Sequence, residues 1–321
     1  MKKRALLFLF FLSLSYWLCD ENRRTEYLCH DNHFEEYQQG VIDHSITGPL
    51  AYRVLMPFTI RLFSRAVPGL PEIEIDFYLN LLLVLLIQIA FFRYLKNFLP
   101  GASSLAGTLW LDLCILMGFA SFMGMHVYET SDLCNLLFMI LAMQSIYKGS
   151  WAITAALLFT AMFNRETPAF LLLPLFLMWQ DKKVSTRHLL ICTASVLTPY
   201  FLLKLLIHPP EPAWFLTVFL EENIPFYKTG NLDIVLAGYF KFLVFTGPAF
   251  LLAFIRFKDK KYFLKTASWA VLPFIPVHIL VGHVEEYRMW MPLFLFLIPL
   301  GMETPGNIFE GKLAKNDEAI N

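Results

Sequence analysis

The chain has 321 residues, 57% of them hydrophobic and only 16% charged, with a mean hydropathy of +0.54. A soluble domain of that length could not hide so much apolar surface, which leaves a polytopic helical membrane protein as the class. The 26 Lys and Arg balance the 26 Asp and Glu, and a net charge of zero argues against nucleic acid as a partner.

Met1-Lys2-Lys3-Arg4 precedes an apolar run, Ala5–Cys19. The bulky Tyr16-Trp17-Leu18-Cys19 does not suit a cleavage site, so the run is predicted as an uncleaved first helix with its basic end in the cytoplasm. Residues 20–76 are predicted to stay outside. They begin with an acidic loop over 20–47 that carries Asp20, Glu21, Glu26, Asp31, Glu35, Glu36 and Asp43. An amphipathic helix, Gly48–Ala66, follows along the outer interface, its Arg53, Arg61 and Arg65 alternating with apolar residues. Cys19 and Cys29 both fall outside in this scheme, which leaves a disulfide between them open. Cys114, Cys134 and Cys192 fall in apolar helices as packing residues.

Further spans are predicted over about 77–95, 104–124, 133–147, 188–207, 234–255, 267–282 and 289–302. Between the fourth and seventh lie two short apolar segments, 151–163 and 168–180, read as a hairpin of paired helices. Thirteen helical residues reach only ~20 Å against ~30 Å of hydrocarbon. The tip, Asn164-Arg165-Glu166-Thr167, is therefore expected to be recessed and to line a cavity rather than touch lipid. Inner connections carry mostly Lys and Arg, the strongest being Arg256–Lys261, whereas outer ones carry most of the acids. The expectation is an all-α bundle of about ten spans, with residues 1–302 as one membrane-embedded domain and 303–321 as a disordered cytoplasmic tail.

Ionisable residues within such a chain are functional candidates by default. Four clusters share the outer face in this topology. A partly desolvated loop carboxylate over a lipid headgroup can act as general base, and Asp20, Glu21, Asp31 and Asp43 are the contenders. Glu129 and Asp132 stand at the mouth of the fourth helix, where capping is the plainer explanation. Arg165 and Glu166 could neutralise each other, yet a recessed guanidinium also suits bidentate binding of phosphate. His283, Glu286 and Arg288 form the last cluster, with interfacial anchoring as the alternative. Lys241 lies at similar depth, where snorkelling explains it equally well; His278 lies deeper and reads as a packed histidine. No metal-ligand spacing, nucleotide loop or nucleophile elbow is present.

Tyr52-Arg53-Val54-Leu55-Met56-Pro57, Asn164-Arg165-Glu166-Thr167 and Glu286-Tyr287-Arg288 followed by Pro292 together resemble the GT-C superfamily of membrane glycosyltransferases, in particular uncharacterised bacterial members. Asp20-Glu21 is similar to the Asp-Glu that ends the first helix in some of these enzymes, and Asp31 with Tyr37 offers a rival match. The chain departs from the pattern in lacking one unambiguous catalytic Asp. The resemblance implies inverting transfer of a sugar from a polyprenyl-phosphate-linked donor to an extracytoplasmic glycan, lipid or protein. Arg165, Arg288 and Lys241 would hold the leaving phosphate, Glu166 and Glu286 would orient the arginines, and Arg53, Glu129, Asp132 and His283 would line the substrate site. No cofactor is required, although carboxylates and phosphate could share a divalent cation. The implied location is a bacterial cytoplasmic membrane with the active site on its extracytoplasmic face. The rival readings are a flippase or transporter of lipid-linked sugars and a non-catalytic membrane subunit.

Overall fold

The computed structural model describes residues 2–29, 33–46, 51–119, 129–208, 232–281 and 290–303. Every regular element among these described residues is helical. In chain order they are α1 (Lys2–Cys29), α2 (His33–Ile42), α3 (Leu55–Ala66), α4 (Glu72–Leu95), α5 (Gly101–Phe119), α6 (Glu129–Tyr147), α7 (Trp151–Met162), α8 (Leu172–Gln180), α9 (Thr186–Leu206), α10 (Leu232–Phe254), α11 (Tyr262–Ser268), α12 (Val271–Val281) and α13 (Met291–Glu303).

Among the described residues, three helices are long and apolar enough to cross a bilayer: α4, residues Gly101–Gly118 of α5, and α9. Others are apolar but shorter; α7 has 12 residues and rises only ~18 Å. Length and composition therefore support three spans among the described residues, where the sequence reading expects about ten in the chain. Leu190, Leu197, Phe201 and Leu205 form an exposed apolar stripe on α9, and Tyr78, Leu82 and Leu86 form another on α4. Such continuous stripes are the surface that lipid would cover.

The acidic loop expected over 20–47 is largely helical instead. No Gly or Pro interrupts the chain before Gly40, and Asp20 and Arg24 have the i, i+4 spacing that favours helix, so α1 continues to Cys29. Cys19 and Cys29 then lie ten residues apart on one helix, about 15 Å of rise, which is beyond disulfide reach. Cys19 is buried. The amphipathic helix is shorter than expected, starting at Leu55: Met56, Pro57 and Ile60 face the bundle while Phe58, Leu62 and Phe63 are exposed.

The core runs through α4, α6, α12 and α13, and one end of it gathers the basic turns. Phe98, Tyr147 and Phe263 pack ring on ring, with centroids 4.7, 5.2 and 5.9 Å apart. Tyr262 donates to Asp181 at 2.6 Å, and Lys261 Nζ donates to the Phe98 carbonyl at 2.6 Å. Lys260 Nζ donates to the carbonyls of Leu252 and Leu300, which close the last turns of α10 and α13. The Glu303 carboxylate accepts from the Lys261 amide, so this residue ends a packed helix rather than opening a disordered tail. Residues 304–321 lie outside the described residues. The turns that the positive-inside rule assigns to the cytoplasm thus meet at one end.

Burial pushes the Lys260 ammonium down to about 8, opposed by the Glu303 charge. The unfolded chain holds that proton up to about 10.5, so stability from this site is complete above that pH and is lost as pH falls through about 8. The melting temperature in detergent is expected to rise between pH 8 and 10, and Lys260→Met should remove that increment.

Candidate functional site

The opposite end of the bundle collects polar side chains from five elements. Its centre is an ion pair between Arg165 and Asp132, which are 7% and 3% exposed. Asp132 sits in the first turn of α6, where the helix dipole favours a carboxylate. Arg165 follows α7 at the tip of the paired helices. The tip forms because Arg165 N returns to Ala161 O and Pro168, lacking an N–H, starts a short 3-10 turn, Thr167–Leu171, instead of extending α7. Asn164, fully buried, donates from Nδ2 to the Ser131 carbonyl at 2.6 Å and fastens the tip to α6. Two short apolar helices, α7 and α8, stand where the sequence predicts the paired segments, with Arg165 between them.

A second polar line lies beside it. Thr130 donates to Asp76 on α4, and Asn80, one turn further along, donates to the other Asp76 oxygen at 2.9 Å. Asn135 lies one turn below Ser131 on the helix that carries Asp132. Among the described residues, the Oδ1 atoms of Asn164 and Asn135 are buried and accept no hydrogen bond. An unmet buried acceptor has a cost, so these oxygens are set for donors from elsewhere.

Arg53 joins from the start of α3. Leu55 N donates to Phe163 O at 3.1 Å, which brings the stretch before α3 against the hairpin tip, and Arg53 is half-buried there. His278, near the end of α12, meets Phe170 of the 3-10 turn that follows Arg165, with ring centroids 6.0 Å apart. Trp290, at the head of α13, packs against the His278 ring with centroids 5.8 Å apart.

The structure brings together three residues singled out from sequence, Arg53, Asp132 and Arg165. The carboxylate paired with Arg165 is Asp132, a role expected of Glu166; Glu166 is half-buried at the head of the 3-10 turn. Asp43 is exposed and accepts from Gln39 at 2.5 Å; Gln39 is in turn bonded by Arg61, which also pairs with Glu72 at 3.5 Å. That surface network is separate from the Asp132–Arg165 pair. Asp20 and Glu21 are half-buried along α1. Glu129 opens α6 and Lys241 lies on α10, and only their backbone positions are described. Asp31, His283, Glu286 and Arg288 lie outside the described residues. No three His, Cys, Asp or Glu side chains converge on a cation site among the described residues.

Sequence reasoning missed Asp76, Asn80 and Asn135, although polar residues at i, i+4 within an apolar helix are a readable sign of an inward face. It also missed a chain at mid-depth: Ser15 donates to Gln88 at 3.0 Å, and Gln88 donates to Asp112 at 3.2 Å. No protein-family model matches the chain, and neither a curated protein nor a solved structure is significantly similar to it.

Proposed function

We propose that the chain is a membrane glycosyltransferase that moves a sugar from a polyprenyl-phosphate donor to an acceptor at the extracytoplasmic face. In this reading the helices form a polytopic bundle of about ten spans, and the Asp132–Arg165 end lies beneath the outer headgroups. The observation that carries it is the mixed character of the site. Arg165, with Arg53 on the stretch bonded against the hairpin tip, lies at the same end of the bundle as buried oxygen acceptors on Asn135 and Asn164 that accept no hydrogen bond from a described residue. A ligand that answers both needs an anion and hydroxyl groups, and a sugar phosphate has both. Arginine suits the anion because its planar fork matches phosphate oxygens and holds its charge out of water. As the glycosidic bond breaks, negative charge grows on the leaving phosphate, and fixed cations there lower the barrier.

Nucleotide sugars are not available outside the cell, whereas a lipid-anchored sugar phosphate presents its head group in the outer leaflet. The opposite, basic end is closed by Lys260, Lys261 and aromatic rings, which supports access from one side. The Ser15–Gln88–Asp112 chain favours the rival reading of a transporter, because transport places polar groups at mid-depth. Mass analysis of surface glycans from cells with and without the chain separates the two. An enzyme removes one sugar at a defined position when deleted; a flippase stops every product built on the lipid it carries.

A further inference from the structure

α9 ends in a cation where the positive-inside rule asks for none. In the topology read above, Arg187 stands at its inner start beside Lys182 and Lys183, whereas Lys204 stands at its outer end. Leu190, Leu197 and Lys204 recur at i, i+7 and i+14, so they form one line along the helix, with Phe201 one turn before the lysine. All four are exposed, and the line is about 21 Å long, more than the depth of one leaflet. Only a narrow seam of Cys192, Val196, Pro199 and Leu203 turns inward. α9 is also the least covered candidate span, with 22% of its apolar length buried in the fold against 44% for α4 and α5.

The line runs up to the site. Lys204 Nζ lies 3.5 Å from the centre of the Tyr52 ring and 5.9 Å from that of Tyr200. Leu203 and Ile207 pack with Ala51 and Tyr52, and Phe163 of the hairpin closes on the same cluster. Arg53 follows Tyr52, and Arg165 follows Phe163 by two residues. Among the described residues no carboxylate pairs with Lys204, so two aromatic rings hold the ammonium and leave its charge unneutralised. Snorkelling alone would put a lysine head at the interface without rings to fix it there.

We propose that the outer half of α9 is the track on which the polyprenyl chain of the donor lies, with Lys204 taking its phosphate at the entrance to the site; the proposal rests on the glycosyltransferase reading above. The isoprene units cover Leu197 and Phe201, and the phosphate meets the ammonium one turn further out. Arg53 follows the ring on which Lys204 rests, so the anion passes from an exposed cation to a half-buried one at the hairpin tip. The exposed apolar stripe of α4 lacks this complement. Its outer turn carries Glu72 and Glu74, which disfavour a phosphate.

The test uses the full chain in phosphatidylcholine nanodiscs with a polyprenyl phosphate that carries a diazirine in the isoprene unit next to the phosphate. After illumination, mass spectrometry locates the cross-linked peptides. Label is expected on α9 between Leu197 and Leu205, displaced by unlabelled polyprenyl phosphate but not by polyprenol, which lacks the anion. Lys204→Met is expected to lower the displaceable label about tenfold at an unchanged melting temperature, and Lys204→Arg to keep most of it. Label spread evenly over α9, α4 and α10, or displaced equally well by polyprenol, would overturn the track. Undiminished displaceable label in Lys204→Met would overturn the part given to the lysine. Should surface glycans be unchanged in cells without the chain while displaceable label stays on α9, the glycosyltransferase reading fails and the lipid track stands.

Discussion

Asp132→Leu is expected to destabilise the folded protein by about 3–5 kcal/mol, because it leaves the Arg165 charge buried without its carboxylate. Arg165→Met is expected to do the same from the other side. The double variant Asp132→Leu/Arg165→Met should recover most of that stability, since a well-packed apolar pair often replaces a buried ion pair at no loss. If the pair only joins α6 to the hairpin, the double variant keeps its activity. The account expects otherwise: thermal unfolding close to wild type, with sugar transfer abolished, because the cation needed at the leaving phosphate is gone. Measuring unfolding and transfer on all four proteins isolates the pair's chemistry from its structural contribution.

Arg53→Gln is the second large effect expected. Arg53 precedes α3 and is only half-buried, so its loss should change the melting temperature little. Its stretch is nevertheless bonded against the hairpin tip that carries Arg165, through Leu55 N and Phe163 O. Removing one fixed donor from a developing anion typically costs 100-fold or more, and transfer should fall by about that factor. Arg53→Lys keeps the charge without the planar fork and should recover only part of the loss. Initial-rate kinetics on the two variants check this, and equal activity in both would remove Arg53 from the site.

Much of the helical plan is legible in the sequence because it depends on local physics. Apolar runs bounded by basic turns locate α4, α6, α9 and α10, and the Pro168 break between two short segments locates the paired helices with Arg165 at their tip. The alternation of flanking charge also survives, since the turns at Phe98, Tyr147 and Lys260 meet at one end. What does not show is pairing across distance. Glu166 lies next to Arg165 in sequence, but neighbouring side chains on a tight turn point apart, and the carboxylate that reaches the guanidinium is Asp132, 33 residues away. The stretch after Cys19 reads as a loop because acids suggest solvent, whereas with neither Gly nor Pro to stop it the helix simply continues. His278 reads as packing because its helix is otherwise apolar, and Phe170, Phe274 and Trp290 do surround its ring.

The central claim is that one end of the bundle holds a sugar by its phosphate and its hydroxyls together. The most direct measurement is binding of a polyprenyl-phosphate hexose to the purified protein in nanodiscs, compared with the same polyprenyl phosphate lacking sugar and the same hexose lacking lipid phosphate. The account predicts that the complete donor binds tightest, that Asp132→Leu/Arg165→Met weakens both phosphate ligands, and that Asn135→Leu weakens both sugar-bearing ligands but not polyprenyl phosphate alone. Equal binding of all three ligands, unchanged by either substitution, would contradict it.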